Sequence, residues 1–223
     1  MKVPDQYFWI AFYYGAKLNR ILVLLLVDGV VAYDMPQGER RGNEVDLFDF
    51  TYDGTVEGGQ LAGGLGQLTD GEEGQSNFRL DPSALGTKGY EWVGWKNETF
   101  GASRRPLEIT FRFEGVRNFT SMRVHVNNMY SKDVRVFSSV RVLFDDAAGA
   151  ADARPPAVEY MYMRDTLMEY ARSVTIPLNN NVGSRVRVQL FFDSKWLMIS
   201  EVQFESGETS VYMLQVGCFY NVM

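Results

Sequence analysis

Apolar and polar residues alternate strictly along several stretches of this 223-residue chain, and that pattern restricts its fold more than any other feature. Leu107, Ile109, Phe111 and Phe113 alternate with Glu108, Thr110 and Arg112. Met122, Val124 and Val126 flank Arg123 and His125, and Val140 and Val142 flank Arg141. Val186, Val188 and Leu190 flank Arg187 and Gln189, while Val202 and Phe204 flank Gln203. A period of two sends successive side chains to opposite faces of an extended strand, so each stretch predicts a strand with one buried face. Several such strands, broken by Gly, Asn and Asp, predict an all-β sandwich or barrel. The 14% aromatic content suits pleated, half-buried strands, and 46% hydrophobic residues suffice for a core.

Other stretches are less regular. Residues 34–50 are polar with scattered apolar positions. The segment from Gly54 to Gly74 is glycine-rich and predicts tight turns and loop. It lacks the G-x-G-x-x-G spacing of a dinucleotide loop, because Thr69 stands where the third glycine belongs. Arg164 to Arg172 reads either as a helix or as an extended loop returning to Val174 and Ile176. Asp145 to Pro156, rich in Ala, Asp and Pro, predicts a loop. No apolar run reaches the roughly 18–20 residues that span a bilayer. The longest, Ile21 to Val27, follows Lys2, Lys17 and Arg20. It reads either as the apolar part of a signal peptide, with Val30 and Ala32 suited to cleavage, or as a first extended segment.

Charge and rare residues exclude several functions. A net charge of -6 argues against nucleic acid and against a basic membrane-surface patch. One cysteine, Cys218, permits no intramolecular disulfide, a pattern usual in reducing compartments. With one histidine, His125, the chain cannot assemble a Cys/His structural zinc site. His125 is placed on the polar face of its strand, and a lone strand histidine with no acid or nucleophile beside it reads as structural.

Three features could carry chemistry. The turn Asp70-Gly71-Glu72-Glu73 offers hard oxygen ligands on a glycine-rich loop, as Ca2+ requires, or is a solvated surface loop. Tyr90, Trp92 and Trp95 offer an aromatic ligand platform of the kind a secreted lectin-like or adhesion module would use, or else pack into core and rim. Asn97-Glu98-Thr99 and Asn118-Phe119-Thr120 are N-glycosylation sequons, used only in the secretory pathway.

An ordered set of short segments then narrows the reading. It runs through Asp28-Gly29-Val30-Val31-Ala32-Tyr33, Thr51-Tyr52-Asp53-Gly54 and Gly64-Leu65-Gly66-Gln67-Leu68-Thr69-Asp70-Gly71. It continues with Val93-Gly94-Trp95-Lys96-Asn97-Glu98-Thr99, Phe111-Arg112-Phe113 and Arg117-Asn118-Phe119-Thr120-Ser121-Met122. Val124-His125, Asn127-Asn128-Met129 and Trp196-Leu197-Met198-Ile199-Ser200-Glu201 complete it. In this order, across residues 28–206, the segments resemble the second, membrane-proximal discoidin-like domain of the discoidin domain receptors, which are collagen-activated receptor tyrosine kinases. Residues 1–27 and 207–223 do not share the resemblance.

The resemblance implies a jelly-roll β-sandwich on the extracellular side of the plasma membrane, with collagen bound by a neighbouring domain and a receptor homodimer as a further partner. It also implies a Ca2+ site formed by the side chains of Gln67, Asp70 and Glu201 and the backbone carbonyls of Glu72, Tyr90, Trp92 and Ser200. A further family ligand, a glycosylated asparagine, falls at Phe48, where this chain has no sequon. The family's bracing disulfide falls at Val142 and Val188, where a Val–Val contact across the core would replace part of the bridge. No V-A-I-K, H-R-D or D-F-G kinase motif occurs in the sequence. The expected role is a non-catalytic one: to position the collagen-binding domain and to regulate receptor activation.

Overall fold

The computed structural model describes residues 29–43, 45–80, 91–101, 105–145 and 156–208. The segment Ile21–Val27, Tyr90 and Cys218 lie outside them. Eleven strands fall among the described residues: β1 (Val30–Pro36), β2 (Arg40–Arg41), β3 (Val45–Asp46), β4 (Thr55–Glu57), β5 (Gln60–Gly64), β6 (Val93–Lys96), β7 (Leu107–Val126), β8 (Ser139–Asp145), β9 (Ala157–Met161), β10 (Arg172–Phe191) and β11 (Trp196–Glu208). All strand pairs are antiparallel.

β7 and β10, each 20 residues long, organise the sandwich. At ~3.3 Å per residue such strands outrun a single small sheet. They bend instead and serve both layers. The first half of β7 lies between β1 and β10, in the order β4-β5-β1-β7-β10-β8-β9. Its second half, from Arg117 on, lies between β10 and β11, and β11 in turn pairs β6. The register of β10 on β7 shifts between Pro177 and Asn181, where Asn179 and Asn180 both take φ 57°. Asparagine tolerates this left-handed region better than most residues, which lets the strand turn the corner without glycine.

The alternating residues face one another across the interior. Phe204 of β11 meets Phe111 at 5.0 Å and Phe113 at 5.2 Å between ring centroids, joining the two layers. Phe119 and Phe144 extend the cluster. Within the first layer, Val158, Val142, Val188 and Ile109 form one buried cross-strand row. Val142 and Val188 are thus direct neighbours in a single sheet, not partners across the core as expected.

One further expectation is corrected and two open readings are narrowed. The glycine-rich stretch is not all loop: β4 and β5 form a hairpin closed by Gly58 and Gly59, at φ 57° and 77°. Two positive-φ residues are what a two-residue hairpin turn demands, and the strands are too short to register as a pattern. Residues 164–171 contain no helix. Arg172 pairs with Asp165, Glu169 bonds Ser131, and Arg164 holds Asp193, so side chains fix an extended segment instead. Val30 and Ala32 are buried positions of β1, so cleavage at Ala32 would cut a strand.

Candidate functional site: the turn between β5 and β11

Backbone spacing builds the floor of the site. Val45, Leu47 and Asp49 alternate as buried residues, which places a carboxylate in the interior. Asp49 accepts hydrogen bonds from the Tyr33 hydroxyl and, at 3.1 Å, from the Gln67 N–H. Burial pushes the Asp49 carboxyl above its usual range, partly offset by those bonds, and burial likewise pushes the Tyr33 hydroxyl up. Gly66 crosses directly over this pair. A Cβ there would sit 2.5 Å from Asp49 Oδ1 and 2.6 Å from Tyr33 Oη, so only glycine passes. Asp49 was not picked out from sequence, although its phase with Val45 and Leu47 marks it as inward-facing.

A 3-10 turn, Gln67–Thr69, follows and is buried throughout. Gln67 Oε1 accepts the Phe50 N–H at 2.7 Å. The acidic turn then lies against β11. Gly71 N–H donates to Glu201 Oε2 at 3.1 Å, and Gly74 N–H donates to Ser200 Oγ at 3.0 Å. Asp70 is exposed, and its Oδ1 accepts the Glu72 N–H at 2.9 Å. Gln67, Ser200 and Glu201 are buried. The fold therefore brings the turn carrying Asp70 and Glu72 onto Ser200 and Glu201, 130 positions away in the chain for the Gly71–Glu201 contact.

Trp92 and Trp95, near this turn, are core, not platform. Trp92 and Trp95 are both fully buried. The Trp92 indole donates to the Gln75 carbonyl at 3.1 Å, and Gly74 packs so close that a Cβ would lie 2.4 Å from the ring. Trp95 donates to the Pro36 carbonyl at 2.8 Å. Packing wins because each ring's single donor finds a backbone acceptor inside.

His125 is also buried, contrary to a solvated polar face, because the glycine-rich loop covers that face of β7. Its ring stacks on Trp92 at 5.5 Å, with Nδ1 2.8 Å from Ser173 Oγ and Nε2 3.1 Å from the Gly74 carbonyl. Glu73 lies 3.4 Å from Nδ1. The histidine ties β7 and β10 to the loop beneath the acidic turn.

The donor chemistry of the turn is all oxygen: one exposed and one buried carboxylate, a buried amide and adjacent backbone carbonyls. Hard dications of the Ca2+ type take such ligands. Among the described residues no three His, Cys, Asp or Glu side chains cluster, so neutral oxygens would have to complete any shell. Thr69 Oγ1, one residue before Asp70, is buried without a hydrogen-bond partner, so the turn holds an oxygen that protein groups leave unsatisfied. On both counts the residues fit a hard cation.

The two sequons differ in setting. Asn97 opens a 3-10 turn, Asn97–Phe100, on the surface, with its Nδ2 3.4 Å from the Ser194 carbonyl. Asn118 lies inside β7 between β10 and β11, and its Oδ1 is buried without a partner. Phe48 stacks edge-on with Phe50 at 5.8 Å beside the turn.

Residues 29–206 match the model of the discoidin domain-containing receptor 1/2 DS-like domain. The chain is 33% identical over 190 residues to discoidin domain-containing receptor tyrosine kinase B of Caenorhabditis elegans, covering 84% of this chain and 22% of that protein. It is 34% identical over 186 residues to human epithelial discoidin domain-containing receptor 1, covering 80% of this chain and 20% of the receptor. The chain thus spans about a fifth of the length of these relatives. The C-terminal domain of a Bacteroides fragilis chitobiase superposes at TM-score 0.44 with 8% identity, over 81% of this chain and 94% of that one, too loosely to carry an argument. The matched region is the discoidin-like domain and not a kinase domain, and no helix among the described residues is long and apolar enough to cross a membrane. An antiparallel sandwich with this ordered set of segments, matched from Gly29 to Ser206, belongs to the discoidin-like domain family of the discoidin domain receptors.

Proposed function

We propose that this domain is a calcium-stabilised, non-catalytic extracellular module of a collagen-receptor tyrosine kinase. Its task is to hold a collagen-binding neighbour in place and to regulate activation of the receptor. The observation that carries the calcium reading is the buried Glu201 carboxylate of β11, which reaches the Gly71 amide of the acidic turn.

In this reading Gln67, Asp70 and Glu201 supply side-chain oxygens, and Glu72, Tyr90, Trp92 and Ser200 supply carbonyls. The bound ion would supply two positive charges against the two carboxylates. The residues of the chain do the rest. Asp49 and Phe50 hold Gln67 through its N–H and its side-chain oxygen. Ser200 Oγ pins Gly74 and so fixes the far end of the loop. Joining segments so distant in sequence restricts the unfolded chain most, so the gain is stability and a fixed loop, not chemistry. His125 is buried against Trp92 and Ser173, which supports a packing role and a non-catalytic domain.

Thermal melting with calcium and with a chelator tests the proposal. Calcium at about 100 times its Kd should raise the midpoint by roughly 5–10 °C. Glu201→Gln keeps an acceptor for Gly71 and should melt like the chelated wild type, with no response to calcium. Asp70→Ala should behave likewise. An unchanged wild-type midpoint would sink the calcium reading.

A further inference from the structure

A cleft of about 410 Å³ opens where β10 ends and β8 begins, away from the acidic turn. Asn97 forms part of its wall, together with Arg105, Ser138, Ser139, Phe192, Asp193 and Ser194. Its volume falls in the ~300–1,000 Å³ range of small-molecule sites, but those are mostly apolar and this one is lined mainly by polar groups. Hydroxyls, a carboxylate and a guanidinium beside Phe191 and Phe192 suit a polyhydroxylated ring rather than a lipid or a planar cofactor.

The cleft is held in shape. Asp193 is 5% exposed at its side chain and is bound by Arg164 at 2.5 Å and 2.9 Å. Ser138 Oγ donates to the Phe191 carbonyl at 3.2 Å. Phe192 leans on Phe100, the last residue of the sequon turn, at 5.2 Å.

We propose that this cleft seats the first sugars of an N-linked glycan carried by Asn97, an inference that rests on the extracellular reading above. Asn97 Nδ2 is directed at the cleft wall, 3.4 Å from the Ser194 carbonyl, so a sugar joined to it begins inside the cleft. In the modification, Nδ2 attacks C1 of a lipid-linked oligosaccharide diphosphate. The N–C1 bond forms as the C1–O bond to diphosphate breaks, and Nδ2 gives one of its two protons to the transferase's base. The remaining N–H can keep its bond to Ser194. A tethered sugar meets the cleft at millimolar effective concentration, so weak polar contacts suffice to hold it. Asn118 offers no such seat: it lies within a strand paired on both sides, and its side-chain oxygen is buried.

The test uses the full chain secreted from eukaryotic cells behind a supplied leader. Peptide mapping should find Asn97 occupied. An endoglycosidase that cuts between the first two sugars should act on the native protein roughly tenfold more slowly than on Arg105→Ala, the equivalent of one ~1.4 kcal/mol polar contact. Ser139→Trp, which fills the cleft, should speed cutting in the same way, and both variants should melt with the wild type. An unmodified Asn97 would overturn the proposal and leave the extracellular reading standing. An occupied Asn97 cut equally fast in all three proteins would overturn the seat alone. Submillimolar binding of the free N-acetylglucosamine disaccharide by Asn97→Gln would also overturn it, in favour of a lectin site.

Discussion

Val142→Cys with Val188→Cys, made in a Cys218→Ser background, tests the register of the first layer directly. The two residues face each other on adjacent antiparallel strands, and both are buried. Opposed Cα atoms in such a pair stand ~4.5–5.5 Å apart, inside the 4.4–6.8 Å range that a disulfide accepts. The bridge would close a loop of about 47 residues and cost the unfolded chain roughly 4 kcal/mol of entropy. Each Val→Cys change replaces two buried methyl groups with one sulfur in a filled row that also holds Val158 and Ile109, at about 1 kcal/mol apiece. The oxidised protein should therefore gain roughly 2 kcal/mol over the wild type and melt about 4–8 °C higher. The reduced protein should fall about 2 kcal/mol below the wild type. Urea unfolding with and without reductant, with thiol titration, reads both states. Free thiols that persist in the folded protein under oxidising conditions would refute the register. Equal stability of the oxidised and reduced forms would refute the entropy argument.

Two further outcomes follow from buried and clamped carboxylates. Asp49→Ala leaves the Tyr33 hydroxyl and the Gln67 N–H without their acceptor, and should cost roughly 2–4 kcal/mol in urea unfolding. Asp49→Asn retains an acceptor and should lose less than half of that, and an Ala variant as stable as wild type would remove Asp49 from the framework. Asp165 is held below the usual carboxylate range, first by the Leu167 N–H and then by Arg172. A depressed folded pKa gives stabilisation that is whole above the unfolded value of about 3.9 and fades as pH falls through the lower folded value. Hydrogen exchange of residues 164–171, corrected for intrinsic rates, should show that loss at low pH, and Asp165→Asn should show it at neutral pH. Equal protection of variant and wild type at neutral pH would refute the clamp.

What the sequence disclosed and what it hid follow one physical line. Alternation is a local property, so strands such as β7, β8 and β10 declare which residues point inward. It says nothing of what lies over the other face. His125 sits on the polar side of β7 and is nonetheless buried, because Gly74, 51 positions earlier, and Trp92, from a separate segment, pack against it. The same blindness left Trp92 and Trp95 open as a platform, since their backbone acceptors, Gln75 and Pro36, are set by the fold. Residues 164–171 leave helix and extended loop equally open in the sequence, because the choice falls to Ser131, Asn128 and Asp193, which hold the polar groups from outside the segment. The acidic turn lies between these cases. Its residues are local and legible, and its partner, Glu201, enters through a family resemblance, not through any rule of spacing. A site built between a loop and a strand this far apart leaves no period in the sequence. It can be derived from physics only once the strand order of the sandwich is known, and that order brings Glu201 to Gly71 because β11 pairs the second half of β7 beside β6.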